Sequence, residues 1–349
     1  MRLALNLGYL TGRPDPGEVL ALARHAEELG FSAVWAAEAY GSDSPSVLAW
    51  LAGQTSTIDL GSAVMQVPGR TPAMTAMTAA TIDLLSGGRF RLGLGVSGPQ
   101  VSEGWHGVRF AEPLARTRAY VEVVRAALAR ETVRHDGPHF PLPLPDGPGK
   151  ALRLSLRPVR EHVPLYLAAV GPRNLALAGE VADGWLAVFF DPELAADPLG
   201  QVATGRRTAG LGLDGFDVVP TVPLVVGDDP QACADPVRPY AALYVGGMGS
   251  RESNFYHALA VRMGYADAAD QIQDLFLGGQ PRDAAAAVPY ELIDRTSLLG
   301  DRDRIAERLR LLAAAGVTTC AVQPYGRTVE EKLAALTTVA EALDRSGAA

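Results

Sequence analysis

The chain has 349 residues, of which 48% are hydrophobic and 20% are charged, as is typical of a globular protein with a full core. The formal net charge is −8 and no run of lysine or arginine occurs, which disfavours nucleic acid and anionic membranes as partners. The two cysteines, Cys233 and Cys320, are far apart, and the N-terminus does not resemble a signal peptide. We therefore expect free buried thiols, no membrane-spanning segment and a cytoplasmic protein.

Strand-like and helix-like segments alternate along the chain. Short apolar runs predict strands at residues 3–7, 33–37, 60–67, 90–95, 164–170, 184–190, 216–226 and 317–323. Amphipathic periodicity, N-cap residues and terminal glycines predict helices at about residues 15–29, 45–55, 71–86, 113–130, 171–182, 192–209, 301–315 and 328–343. This alternation predicts an α/β fold, a closed (β/α)8 TIM barrel. An open doubly wound sheet is disfavoured because no G-x-G-x-x-G motif follows the first strand.

Two segments interrupt the alternation and predict insertions after strands four and seven. Residues 132–162 are rich in proline and indicate an excursion that is partly a hairpin. Residues 227–290 are expected to form a variable helical segment, with helices at 229–263 and 266–287 and a break at Gly246-Gly247. Because the strand–helix alternation resumes directly after residue 162, we expect one domain spanning residues 1–349.

The carboxyl ends of the strands are where such a barrel places its functional site. These ends are small, apolar and rich in glycine, at residues 6–9, 38–43, 64–68, 95–100, 168–173 and 187–189. They contain no cluster with metal-ligand spacing, no Cys/His pair and no G-x-S-x-G motif, which disfavours metal-dependent hydrolysis and acyl transfer. They favour instead a flat, apolar ring whose chemistry is supplied by a cofactor.

Three positions could carry chemistry, and each has a plainer alternative. Residues 171–173, Gly-Pro-Arg, open a helix, so free backbone N–H groups and the arginine could hold a phosphate, although such helix starts are common. Glu38 could act as an acid or base or position a ligand, or its carboxylate could be bonded to backbone or to Tyr40. His106 could act as an acid or base in a lid, or be a surface histidine beside Trp105.

Three stretches together resemble a known family. They are residues 28–43 (ELGFSAVWAAEAYGSD), 61–108 (beginning GSAVMQVPGRTP) and 166–185 (YLAAVGPRNLALAGEVADGW), and the strand at 316–324 adds to them. On these motifs the chain resembles the luciferase-like flavin-dependent oxidoreductases, and among them the branch that uses the deazaflavin coenzyme F420. The combination of motifs is specific, whereas each glycine-rich loop alone is not.

The resemblance implies a (β/α)8 barrel with an insertion after strand four and a cis peptide bond at Ala63-Val64 that backs the deazaflavin ring. It also places Glu38 near the reacting face. The implied cofactor contacts are Glu38, Ala63, Val64, Gln66, Gly95, Val96 and Ser97 around the ring or tail, and Ala168, Ala169, Val170, Gly171 and Arg173 at the phosphate linker. Many members carry Asp-His after the second strand, whereas this chain has Glu38-Ala39-Tyr40, so no histidine acid is expected there.

We therefore predict an oxidoreductase that transfers hydride between coenzyme F420 and a small organic substrate with a C=C, C=N or C=O bond. Glu38 and His106 are the candidate catalytic residues, and no metal is expected. The alternatives are an FMN-dependent luciferase-like monooxygenase and a catalytically inactive barrel that acts as a binding partner. Small and apolar residues on helices 45–55 and 71–85 would suit a homodimer interface, or they could pack against the barrel. Residues 227–290 with the loop near Trp105 are expected to select the substrate.

Overall fold

A closed parallel barrel forms the centre of the molecule, in a computed structural model that describes all 349 residues. Its strands are β1 (Arg2–Asn6), β2 (Ala33–Ala36), β3 (Asp59–Ser62), β4 (Met65–Gln66), β5 (Phe90–Gly95), β6 (Leu165–Ala168), β7 (Gly184–Val188), β8 (Asp217–Val226), β9 (Leu298–Gly300) and β10 (Thr319–Pro324). Every pairing is parallel, and the barrel closes because β10 pairs with both β1 and β8. The predicted fold class is confirmed.

Helices surround the barrel and follow its strands. They are α1 (Pro16–Glu28), α2 (Ser44–Ala52), α3 (Pro72–Leu85), α4 (Pro99–Gly104), α5 (Pro113–Leu128), α6 (Pro172–Val181), α7 (Ala196–Thr208), α8 (Pro230–Ala234), α9 (Arg238–Ala242), α10 (Phe255–Arg262), α11 (Ala266–Leu277), α12 (Pro281–Ala286), α13 (Tyr290–Arg295), α14 (Arg302–Ala314) and α15 (Val329–Ser346). Asp15, Thr71 and Thr328 cap their helices through the side chain, as their residue types indicate. None of the helices combines the length and apolarity needed to cross a membrane.

Two aromatic rings fill much of the barrel interior, together with alanine, leucine and valine side chains. Trp35 and Tyr166 meet edge to face, with ring centroids 5.1 Å apart. A Cβ atom on Gly61 would lie 2.2 Å from the Trp35 ring, and one on Gly184 would lie 2.4 Å from the Tyr166 ring. The two glycines are therefore required by the volume of the rings.

The third predicted strand is interrupted where the site begins. The prediction of one strand over residues 60–67 is wrong, because β3 ends at Ser62 and β4 begins at Met65, with the cis peptide bond Ala63-Val64 between them. The cis bond itself is confirmed. Ser62 Oγ donates to the Gly93 carbonyl at 2.8 Å and accepts from the Gly93 N–H at 2.9 Å. One side chain thus replaces the sheet hydrogen bonds that the interruption removes.

Of the two inserted segments, the first has almost no regular secondary structure and the second is helical. Residues 129–164 hold no helix or strand, and a single antiparallel bridge between His135 and Leu142 is all that remains of the predicted hairpin. After β8, helices α8 to α13 form a second layer with its own apolar cluster, which includes Phe189 from the barrel. The assignment of the whole chain to one domain stays a proposal.

Several elements in and around the inserted segment were not predicted correctly. The expected single helix at 266–287 is two helices, α11 and α12, because α11 ends before Gly278, and α13 was not predicted at all. The expected helix at 229–263 is divided into α8, α9, a π-helical turn at Leu243–Gly247 and α10, so its break extends beyond the two glycines. Strand β9 was missed because its three residues extend the sheet only by pairing with the end of β8. Helix α4 was missed because glycines flank its six residues.

Ser62→Ala should destabilise the protein by about 2 kcal/mol, because both backbone groups of Gly93 would lose a buried partner. Thermal and urea unfolding of the variant would measure the loss. Ser44→Ala is the matched control: Ser44 is equally buried, but its hydroxyl has no partner, so its removal should be neutral or slightly stabilising. Equal stabilities of the two variants would contradict the role given to Ser62.

Candidate functional site

A cavity of about 480 Å³ opens at the carboxyl ends of the strands. Loops after β1, β2, β3, β5 and β6 border it, together with β4 and the first residues of α4, α5 and α6. Its remaining wall comes from the second helical layer, through Gly247, Met248, Phe255 and Tyr256. The cavity therefore lies between the barrel and the inserted helices, as expected for a site on such a barrel.

Most of the predicted site residues border this cavity. Those that do are Glu38, Val64, Gln66, Gly95, Val96, Ser97, Ala168, Val170, Gly171 and Arg173. Ala63 packs instead against the barrel interior. Ala169 faces the opposite way, because its carbonyl accepts from Trp185 Nε1 at 2.9 Å and its side chain borders a neighbouring groove. His106 does not border the cavity.

The floor of the cavity is flat because Gly95 cannot carry a side chain. A Cβ atom on Gly95 would lie 2.5 Å from Val64 Cγ2. The chain then leaves β5 through Ser97, whose φ of 63° lies in the left-handed region that non-glycine residues rarely adopt. Backbone and one valine side chain therefore form a smooth apolar surface at this point of the cavity.

Glu38 is held in an ion pair that the sequence did not reveal. Its Oε1 accepts from Arg70 Nη1 at 2.6 Å, and its Oε2 accepts from the Ser44 N–H at 3.2 Å. Burial alone would lower the pKa of Arg70, but the hydrogen bond and charge of Glu38 raise it, and Asp43 adds to the effect. With both oxygens engaged, the Glu38 carboxylate is held in one orientation.

His106 lies behind the cavity wall. Its Nε2 is 2.7 Å from Oε1 of Gln66, which does border the cavity. Since an amide oxygen only accepts, Nε2 carries the proton in this arrangement. The placement of His106 does not support its predicted role as an acid or base, and it fixes the orientation of the Gln66 amide instead. Trp105 is 67% exposed and also lies outside the cavity.

The start of α6 offers an anion site. Gly171 is its N-cap and provides no side-chain acceptor, so the N–H groups of Arg173 and Asn174 have no intrahelical partner. A Cβ atom on Gly171 would meet no atom within 4 Å, which leaves the space beside it open. Arg173 is exposed and forms no ion pair, so its charge adds to that of the helix terminus.

An aromatic wall closes the cavity on the side of β1. Tyr9 and Tyr256 border the cavity, and Tyr9 Oη lies 2.8 Å from Tyr244 Oη behind it. The rings of Tyr244 and Tyr256 meet edge to face at 4.7 Å. Position 9 belongs to a predicted strand end, but Tyr244 and Tyr256 follow the first strand by more than 200 residues and carry no recognisable motif.

The chain is similar to the luciferase-like family and to several F420-dependent proteins. A family model described as luciferase-like monooxygenase matches residues 3–319. A Mycobacterium tuberculosis protein, provisionally named coenzyme F420-dependent oxidoreductase Rv3520c, is 43% identical over 343 residues, which cover 96% of this chain and 99% of that protein. The 5,10-methylenetetrahydromethanopterin reductase of Archaeoglobus fulgidus is 30% identical over 299 residues, covering 84% and 85%. The solved coenzyme F420-dependent tetrahydromethanopterin reductase of Methanopyrus kandleri has a TM-score of 0.82 at 26% identity, covering 97% of both chains.

Arg70→Met should cost about 2 to 3 kcal/mol of stability, because it leaves the buried Glu38 carboxylate without its cation. The double variant Glu38→Gln/Arg70→Met should regain more than half of that loss, which urea unfolding of the complete cycle would measure. Asp43→Asn is the control, since the Asp43 side chain is 47% exposed and its bond to Arg70 should contribute little. Additive losses in the double variant would contradict the coupling.

Proposed function

Because the chain belongs to the luciferase-like monooxygenase family, we propose that it is an oxidoreductase that uses coenzyme F420 and acts on a small organic substrate. The observation that carries this proposal is the juxtaposition, in one cavity, of a flat apolar floor and an open cationic helix start. These two features match the two parts of coenzyme F420, a planar deazaflavin ring and a phosphate-bearing tail. The names of the relatives favour F420 over FMN.

Different residues of the chain would bind different parts of F420. Val64 and the bare backbone at Gly95 would support one face of the ring and exclude water from it. The Gln66 amide, held by His106, could accept or donate a hydrogen bond at the ring edge. The first turn of α6 with Arg173 would hold the phosphate. When bound, F420 supplies or accepts a hydride, so the protein has to position the substrate carbon and manage one proton.

The substrate would occupy the part of the cavity bordered by the second helical layer. Met248, Phe255 and Tyr256 present mostly apolar surface there, whereas the barrel side is already assigned to the cofactor. This supports the expectation that residues 227–290 select the substrate. The opposing wall is formed by Gln100 and Val101 of α4, and not by the loop at Trp105 as predicted. A compound with a C=C, C=N or C=O bond and an apolar body fits such a lining.

We also propose that the protein is a homodimer in the cytoplasm. Four large apolar side chains on one face of α3 are exposed: Met74 (51%), Met77 (51%), Leu84 (48%) and Leu85 (58%). Trp50 on the adjacent helix α2 is 39% exposed. The alanines expected at this interface are largely buried against the barrel, among them Ala76 and Ala79. A continuous apolar face of this kind is typical of a protein–protein interface.

Sedimentation velocity should show a dimer for the native chain and a monomer for Met77→Glu, because a charge would be buried at the centre of the interface. Leu311→Glu is the matched control, since Leu311 is 44% exposed on α14, away from this face, and this variant should remain a dimer. A monomeric native chain, or a Met77→Glu variant that still dimerises, would refute the proposed interface.

Equilibrium titrations with F420 and with FMN should show saturable binding of F420 and much weaker binding of FMN. Arg173→Met should raise the Kd for F420 about tenfold, because one charge-assisted contact to the phosphate is lost. Arg282→Met is the matched control: Arg282 also follows a proline at a helix start, but it lies outside the cavity, and its loss should leave the Kd unchanged.

Tight binding of FMN without binding of F420 would favour the monooxygenase alternative and overturn the proposal. Binding of neither flavin would favour a barrel without catalytic turnover. Equal Kd values for Arg173→Met and Arg282→Met would leave F420 as the cofactor but refute the phosphate site at α6.

A further inference from the structure

Reduction of a C=O, C=N or C=C bond by hydride requires a proton as well, and five ionisable side chains border the cavity: Tyr9, Glu38, Tyr40, Arg173 and Tyr256. Both oxygens of Glu38 are already bonded, to Arg70 and to the Ser44 N–H. Arg173 belongs to the anion site at the start of α6, and Tyr40 is 58% exposed. The two tyrosines of the aromatic wall are the groups that remain.

Tyr9 differs from Tyr256 in having a hydroxyl partner. Its Oη lies 2.8 Å from Tyr244 Oη, and no hydrogen bond is made to the hydroxyl of Tyr256. Tyr244 is 5% exposed and does not border the cavity, so its hydroxyl is the inner member of the pair. When Tyr244 donates to Tyr9, the proton of Tyr9 is free to point into the cavity.

The position of Tyr244 is fixed by the backbone around it. It lies in the π-helical turn Leu243–Gly247, an irregularity that is frequent at functional sites. Asn254 Nδ2 donates to the carbonyls of Tyr244 and Val245, at 3.2 and 2.8 Å, and its Oδ1 caps α10. The turn therefore holds the inner hydroxyl at one place relative to the barrel.

The electrostatic surroundings suit a neutral acid. Burial raises the pKa of the Tyr9 hydroxyl, while the hydrogen bond from Tyr244 opposes the rise. The titratable groups around Tyr9 are other phenols: Tyr40 after β2, Tyr240 on α9, Tyr244, and Tyr256 on α10. Without a facing carboxylate or cation, Tyr9 stays protonated at neutral pH and can still release a proton to a stronger base.

We infer that Tyr9 is the residue that gives the substrate its proton, and that Tyr244 is a positioning residue that stabilises the resulting phenolate. This rests on the proposed function. The substrate carbon gains the hydride that reduced F420 supplies, and the electron pair of the double bond moves to the neighbouring atom. That atom forms a new bond to the Tyr9 proton as the Tyr9 O–H bond breaks. The phenolate accepts the Tyr244 hydrogen bond until solvent returns a proton, and oxidation of the product uses the same groups in reverse.

The first test needs no cofactor. The protein is labelled with 3-fluorotyrosine, whose phenol is more acidic than that of tyrosine, and Tyr9→Phe assigns the resonance of position 9 in the ¹⁹F spectrum. In a pH titration, Tyr244→Phe should raise the pKa at position 9 by about one unit, because the charged form loses a hydrogen bond. Tyr290→Phe, on α13 and outside the cavity, should leave it unchanged. An unchanged pKa in Tyr244→Phe would overturn the pairing.

The second test uses the holoenzyme, with cyclohex-2-en-1-one and acetone as hydride acceptors and reoxidation of reduced F420 as the signal. Tyr9→Phe should lower kcat by at least a hundredfold with an unchanged Kd for F420, and Tyr244→Phe should lower it less and alter the alkaline limb of the pH profile. A Tyr9→Phe variant with the native kcat would overturn the assignment. Failure of the native holoenzyme to reduce either compound would also count against Tyr9 as the proton donor, because both acceptors need only a hydride and one proton. Failure of the native protein to bind F420 would instead refute the proposed function.

Discussion

Where β5 passes β3 and β4, two positions of β5 have no room for a side chain. The architecture of the site follows from this constraint. A Cβ atom on Gly93 would lie 1.8 Å from the Ser62 carbonyl oxygen, and one on Gly95 would lie 2.5 Å from the Val64 side chain. A Cβ atom at position 93 would force the Ser62 backbone to move, and one at position 95 would force the Val64 side chain to move. The strands therefore approach closely, and the surface that they present to the cavity carries little side chain and is apolar.

Interrupting a strand at this point releases backbone polar groups, which the side chain at the end of that strand satisfies, and a buried carboxylate nearby is paired by an arginine of the following loop. Ser62 bonds both backbone groups of Gly93, and Arg70 compensates the charge of Glu38. Few ionisable groups consequently remain free in the cavity. This division of labour is typical of enzymes in which a cofactor carries the electrons and the protein contributes placement, exclusion of water and control of a proton.

The sequence predicted the features that depend on local pattern. Strand and helix periodicity, with caps such as Thr71, was sufficient for the barrel, and the family resemblance gave the cis bond at Ala63-Val64. The features that escaped prediction depend on contacts between remote residues. Arg70 meets Glu38 across 32 positions, and Tyr9 meets Tyr244 across 235, and neither pair leaves a periodic signal. Nothing in the sequence indicated that His106 lies behind Gln66 and outside the cavity.

A crystal structure of the protein with oxidised F420 at saturating concentration would test most directly whether this cavity is the cofactor site. We expect the ring to lie in van der Waals contact with Val64 and Gly95, and the phosphate to lie within hydrogen-bond distance of the backbone N–H groups at the start of α6. A ring bound outside the cavity, or a cavity closed by rearranged side chains while the cofactor is bound elsewhere, would contradict it.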